Sequence, residues 1–543
     1  MTRLSIRRGC ALLCGLALVT LAQPAAADWK RAESPRFIVY SDGGSDEAIR
    51  RYVQSLETYD YVLRARLGMS VDAPPARKLP IYLVSGRRGI AEINPETGLN
   101  VAGTYFPSSE DIFAAAIRDS GQDFLLHEYF HHFFYELGST AHYPPWLVEG
   151  LAEYFMTAQI TEESVLVGSY NENRAYWLVN GNWLDLDDLL SKSVGQVRRE
   201  DRETYYPVAW LLTHWFMSDD GRQAQLTAYV NLVRTGGDPA TSIETATGLS
   251  LRAIQSQLRH YMRARMVGRR YEADFPQVDI TITRLPKSAN DLLLIGQRLK
   301  IGVPDGDRAA TAEAVRRAAA HHPDDPFALL QLGHAELHFG DPEVGEAVLT
   351  RLLEREPDNV EALQLMASRY TALAEKSDDA LPLLQRARGY LAHAYQVDDG
   401  NYYTLYMLAR IRQSQPSYPN DNDMATWELA FGLAPQLPGI RLGYGSALMS
   451  KKRYEEAIAL LEPLANAPHA GAAGAARTLI ELARQQQAPL DRAVLDAAAE
   501  QDARPEPETP ATPPSDDGAS AGSPADAGPA ETPAGPAGPA SPA

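Results

Sequence analysis

Residues 127–131 read His-Glu-Tyr-Phe-His. The segment around them, Asp119 to Leu137, has a helical pattern, with Asp119 or Ser120 available to cap it. Positions i and i+4 share one face of a helix. His127 and His131 can therefore turn two imidazoles towards one metal ion, and Glu128 sits beside that face within reach of a water on the metal. A carboxylate so placed can act as general base. The chain has two cysteines, Cys10 and Cys14, both near its N-terminus. Past that point any metal site must draw on histidine and carboxylate, and thiol chemistry is excluded. A catalytic zinc site needs a third protein ligand and one open position for water, so the pentapeptide alone is only suggestive.

Residues 144–155 read Pro-Pro-Trp-Leu-Val-Glu-Gly-Leu-Ala-Glu-Tyr-Phe. The prolines suit the entry to a second helix. Glu149 lies 18 residues beyond His131, which leaves room for the first helix to end near Gly138, turn and return. Together the two segments resemble the gluzincin metallopeptidases, in particular the peptidase MA-like group with its Trp-Leu-x-Glu-Gly-x-Ala signature. The resemblance spans residues 28–270 and is strongest over 123–156. It implies a zincin-like α+β domain in which Glu149 is the third zinc ligand. It also implies that Glu153, one turn further on, accepts a hydrogen bond from a ligand histidine; a solvated surface acid is the alternative. Related families place a tyrosine on a later helix to support the oxyanion. Here Tyr206 is the candidate, with Tyr205 an equally placed neighbour and a purely structural role open for both. The expectation is a Zn²⁺-dependent peptide hydrolase, with Glu128 taking the proton of a zinc-activated water. The histidine-to-glutamate spacing departs by about one residue from the commonest aminopeptidase form, a difference a loop absorbs.

Several elements must position these residues. Phe37–Tyr40 and Leu79–Val84 read as strands, and Glu47–Leu67 has helical periodicity through Tyr52, Leu56, Tyr59 and Leu63. Val101–Phe106 and Ile112–Ile117 read as a hairpin around Pro107-Ser108-Ser109. Its first strand could pair with an extended substrate backbone. Helices dominate from there to about Arg269. Val278–Thr283 alternates apolar and polar residues and reads as a strand at a domain junction. Phe130, Phe133 and Phe134 are expected behind the metal face, and Trp146 and Trp210 in the core. His132 is expected on the surface or in packing, and His142 in the connecting loop.

The remainder is of a different kind. Leu332-Gly333, Met366-Ala367, Leu408-Ala409 and Tyr444-Gly445 recur at steps of 34, 42 and 36 residues. The first and last copies, with Pro357 and the stretch Lys452–Ile458, resemble tetratricopeptide repeats; an irregular helical bundle is the alternative. The 42-residue step predicts an insertion. Small residues at these points let paired helices approach closely. Residues 1–27 carry Arg3, Arg7 and Arg8, an apolar run from Cys10 to Ala22, and Ala25-Ala26-Ala27 before Asp28. That is the pattern of a secretory signal, so the protein is expected to be exported, periplasmic or secreted. The net charge of −19 argues against a phosphate-tracking nucleic-acid binder and against a polybasic membrane anchor. The sequence thus divides into a signal peptide (1–27), a gluzincin-like domain (28–275), a linker or junction (276–304), all-α tetratricopeptide-like repeats (305–490) and a Pro/Ala-rich disordered tail (491–543). A peptide or protein substrate is expected at the first domain and a protein partner at the repeats. The alternative to an enzyme is a non-catalytic protein-binding scaffold acting through the repeats.

Overall fold

Leu79–Val84 is buried along its whole length, and a strand covered on both faces belongs in the middle of a sheet. The computed structural model, which describes residues 28–97, 101–136, 143–264, 266–413, 415, 417–466 and 472–490, places it there. Residues 1–27, expected as a signal, the expected tail at 491–543 and His142 lie outside the described residues. The first elements are β1 (Lys30–Glu33), β2 (Phe37–Ser41), α1 (Asp46–Arg66), β3 (Leu79–Val84), α2 (Arg87–Ile93), β4 (Gly103–Pro107), β5 (Ile112–Ile117), α3 (Asp123–Glu136) and α4 (Pro145–Phe155). They are followed by β6 (Gln159–Ile160), β7 (Ser164–Val167), α5 (Glu172–Asn180), α6 (Leu186–Ser191), α7 (Arg202–Met217), α8 (Asp220–Arg234), α9 (Pro239–Thr247), α10 (Leu251–Tyr261), β8 (Arg269–Glu272) and β9 (Thr281–Arg284).

Six strands form one sheet in the order β4-β5-β3-β2-β1-β9. The central pairs β2/β3 and β3/β5 are parallel, with Ile81 opposite both Val39 and Ala114. The outer pairs are antiparallel, so β4 is an edge strand hydrogen-bonded only to β5 within the sheet. The period-two alternation of a strand splits the sheet's side chains. Val39, Ile81, Leu83 and Ala114 join one core with Leu56 and Tyr59 of α1 and Phe130 and Phe133 of α3. Tyr82, Val84, Phe113 and Ala115 face the other way, with Ile90 and Ile93 of α2. A small antiparallel sheet, β6-β7-β8, was not anticipated from the sequence.

The stretch 276–304, expected as a linker or junction with one strand, carries a strand and a helix that both pack on the large sheet. β9 closes the large sheet, pairing Thr281–Arg284 with Glu33–Lys30. It starts three residues later than the alternation predicts because its partner β1 is only four residues long. The next helix, α11 (Ala289–Ile301), sets Ala289, Leu293 and Leu294 against Tyr82, Ile90 and Phe113. The sheet's second face is therefore covered by chain expected to lie between domains.

Helices follow one another thereafter: α12 (Arg308–Ala320), α13 (Pro326–Phe339), α14 (Pro342–Arg355), α15 (Val360–Glu375), α16 (Ala380–Val397), α17 (Tyr402–Arg412), α18 (Asp421–Leu433), α19 (Pro438–Ser450), α20 (Tyr454–Asn466) and α21 (Ala473–Arg484). Consecutive helices pack in pairs, and the four recurring small residues fall on α13, α15, α17 and α19, the first helix of each pair. A Cβ on Gly345 of α14 would come within 2.6 Å of the Leu337 backbone nitrogen on α13; only glycine permits so close a crossing. The 42-residue step reflects longer helices: α15 and α16 have 16 and 18 residues where α13 and α14 have 14 each. Among the described residues no helix is long and apolar enough to cross a membrane.

Candidate metal centre

The helix that carries His127 and His131 is fixed from behind. Phe130 and Phe133 are fully buried, and Phe130 stacks on Phe155 of α4 with ring centroids 5.4 Å apart. Tyr129 donates its hydroxyl to Asp60 Oδ1 at 2.6 Å, and Asp60 also receives Arg64 and Arg36 at 2.8 and 2.7 Å. A buried carboxylate needs hydrogen-bonding partners, and this one ties α3 to α1. His132 is buried, with Tyr105 Oη of β4 at 2.9 Å from its Nδ1. Burial pushes its imidazole down to about 3.

The second helix is placed by its glycine. A Cβ on Gly150 would lie 2.1 Å from Thr213 Oγ1 and 2.7 Å from the carbonyl oxygen of Ala209, both on α7. α4 and α7 therefore touch backbone to backbone at the residue after Glu149. At the other end of α4, the buried Trp146 donates to Tyr229 Oη at 3.0 Å.

These two helices bring His127, His131 and Glu149 together, with one ligand atom of each within 4.8 Å of the others. The Nε2 atoms of the two histidines face each other at 3.1 Å. Glu149 Oε2 stands 3.6 Å from His127 Nε2 and 3.4 Å from His131 Nε2. A tetrahedral zinc with bonds of ~2.0–2.1 Å separates its ligand atoms by about 3.3–3.4 Å, so the triangle has the dimensions of such a site. The charge agrees: burial pulls the His127 imidazole down, but Glu149, Glu153 and Glu128 outweigh it and push the group up to about 9. The site draws positive charge, which a cation can supply in place of the proton.

Glu153 is fully buried rather than solvated. Its Oε1 lies 3.3 Å from His127 Nδ1, and Arg174 of α5 grips both of its oxygens at 2.7 Å. A carboxylate against Nδ1 favours the tautomer that leaves the Nε2 lone pair directed at the centre. Arg174 had no sequence signal. It sits 21 residues from Glu153 on a separate helix, and no local pattern links the two. Its guanidinium also lies 5.5 Å from the ring centroid of Tyr206.

The two tyrosines part company. Tyr205 is fully buried and donates to the carbonyl of Lys192 at 3.0 Å. Tyr206, about 100° further round the helix, is half-buried with its ring centroid 6.4 Å from that of His127. Glu128 is also half-buried, and its charge acts on both His127 and Tyr105. The base candidate thus lies between the histidine face and the edge strand β4.

No protein-family model and no curated protein matches this chain. Among solved structures, a thermophilic TPR protein of Thermus thermophilus is similar, at 22% identity and a TM-score of 0.31, over 36% of this chain and 99% of its own. MamA of AMB-1 is similar at 18% identity and a TM-score of 0.22, over 32% of this chain and 96% of its own.

Proposed function

We propose that this protein is an exported zinc-dependent peptide hydrolase, in which His127, His131 and Glu149 hold the metal and Glu128 is the general base. One observation carries the reading: three ligand atoms from two helices converge with edges of 3.1, 3.4 and 3.6 Å. Nitrogen, nitrogen and carboxylate oxygen is a zinc donor set. A zinc ion, when bound there, acidifies water and polarises a carbonyl. The rest falls to the chain. Glu128 takes a proton from the attacking water and returns it to the leaving amine. Tyr206 donates to the carbonyl oxygen as negative charge develops on it. Glu153, steadied by Arg174, holds the His127 ring. Strand β4 offers an unpaired edge for an extended substrate. Export rests on the signal-like residues 1–27.

The test is zinc per chain in purified residues 28–543 beside Glu149→Ala, followed by peptide-library cleavage with Glu128→Gln as control. About one zinc lost on Glu149→Ala, and cleavage abolished by Glu128→Gln, is the expected result. Cleavage that survives Glu128→Gln refutes the mechanism.

A second reading is a non-catalytic scaffold that binds protein partners through the helical repeats. The paired helices from α12 to α21 favour it, since stacked pairs present extended binding surfaces. Partner binding that persists unchanged in Glu128→Gln, with no cleavage by the parent, would select this reading.

A further inference from the structure

A second group of metal-type ligands lies away from the centre just described. Glu110, on the turn between β4 and β5, meets His334 and His338 of α13, with one ligand atom of each within 4.8 Å of the others. The turn is braced by Ser108, whose Oγ donates to the Asp111 carbonyl at 2.7 Å, so Glu110 is held in place. His334 and His338 are four residues apart on one helix face, their ring centroids 5.3 Å apart. His334 is 97% buried, and its Nε2 makes no hydrogen bond. That atom is aimed into the cluster, 3.3 Å from Glu110 Oε2 without the alignment of a hydrogen bond. A buried polar atom left unsatisfied costs about 1–3 kcal/mol and calls for a partner. The nearby cation, Lys300, is engaged elsewhere, 2.9 Å from Glu361 and 3.9 Å from Asp111.

We infer that Glu110, His334 and His338 form a second binding site for a zinc-class divalent cation, which fastens the β4–β5 hairpin to the first repeats. Two imidazoles and one carboxylate suit zinc or cobalt better than calcium or magnesium, which prefer all-oxygen sites. The buried lone pair of His334 Nε2 then has an electron-pair acceptor, and the half-buried Glu110 carboxylate gains a cation at closer range than Lys300. The site is placed to matter. Strand β4 carries Tyr105, which contacts His132 next to the ligand His131 and accepts from Gln436 beyond α18 at 3.3 Å. This inference does not depend on the proposed peptidase activity.

The experiment is equilibrium dialysis of residues 28–543 against micromolar Co²⁺ or Zn²⁺ at neutral pH. The His131→Ala/Glu149→Ala chain lacks the first centre and is expected to bind one ion. Adding His338→Ala or Glu110→Gln should remove it, together with the cobalt d–d absorption and the metal-dependent rise in melting temperature. In the otherwise intact chain, His338→Ala should lower the stoichiometry from two to one, which guards against misfolding of the multiple variants. A first-centre variant that is folded by circular dichroism and binds no ion overturns the inference. So does an ion that survives both His338→Ala and Glu110→Gln. Failure of the first centre alone would appear instead as one ion in the parent that persists in His131→Ala/Glu149→Ala.

Discussion

Gly150→Ala adds one methyl group and leaves every candidate metal ligand intact. The added carbon would stand 2.1 Å from Thr213 Oγ1 and 2.7 Å from the Ala209 carbonyl oxygen. The threonine side chain can rotate away, but the carbonyl is fixed in α7. Ordinary contact begins at 3.4 Å, so α4 must retreat from α7 by about 0.7 Å, because a close-packed interior has no slack to absorb it. Glu149 is the adjoining residue and moves with the backbone. A metal site tolerates only ~0.2 Å of error in its ligand distances, and loss of positioning support costs 10–100-fold in affinity by order of magnitude. Overpacking should also destabilise the fold by about 1–3 kcal/mol. Zinc affinity by chelator competition and thermal unfolding with and without zinc measure the two effects separately. Gly474→Ala is the control, since a Cβ there meets nothing within 4 Å; it should leave zinc affinity unchanged. If Gly150→Ala binds zinc as tightly as the parent, the α4–α7 contact does not set the position of Glu149 and the reasoning fails.

Two further outcomes are expected. Arg174→Gln removes the fork that holds both oxygens of the fully buried Glu153; breaking a buried pair costs about 3–5 kcal/mol, and zinc affinity should fall with it. Unchanged denaturant melts and zinc binding in this variant would count against a role for Arg174 in holding His127. The second concerns pH. Burial keeps His132 neutral in the folded protein, with its pKa down to about 3, whereas an unfolded histidine titrates near ~6.5. The unfolded state therefore takes up the extra proton as pH falls. The stabilisation from this residue is complete above ~6.5 and is lost on the way towards pH 3, at about 1.4 kcal/mol per pH unit. Urea melts from pH 7.5 to 5 should show a shallower loss for His132→Asn than for the parent; parallel slopes would refute the assignment.

The parts of the site that could be read from sequence are those whose geometry is local. His127 and His131 share a face by helical periodicity, and Glu149 and Glu153 are again one turn apart. What joins the two pairs is the packing of α3 on α4, in which Phe130 meets Phe155. The phenylalanines were expected in the core, although their specific partners were not. Neighbouring tyrosines on α7 could not be ranked from sequence, because the choice depends on what lies on each side: the Lys192 carbonyl for Tyr205 and His127 for Tyr206. The start of α3 was set four residues too early. Gly121 adopts φ +87°, outside the helical range, so the helix begins at Asp123. The strand at 281–284 was recognised by its alternation, but its length is dictated by a partner some 250 residues away in sequence.

The sheet is completed beyond residue 275 for a physical reason that also bears on function. A sheet has two faces, and covering only one with α1 and α3 would leave Tyr82, Val84 and Phe113 in water. α2 has seven residues and contributes Ile90 and Ile93; α11 adds Ala289, Leu293 and Leu294. The helix that precedes the repeats is thus a layer of the first domain. The continuity extends further. One hydrophobic cluster runs from Phe130 behind the histidines to Tyr406 and Trp427 in the repeats, and Tyr105 bridges His132 and Gln436. Relative motion of two domains is the default unless their interface is large and hydrophobic. Here one hydrophobic cluster takes in both halves, including the helix that carries His127 and His131, beside the polar bridge through Tyr105. A partner docking on the repeats would therefore act on a surface that is packed, without an intervening linker, against the back of the candidate metal centre.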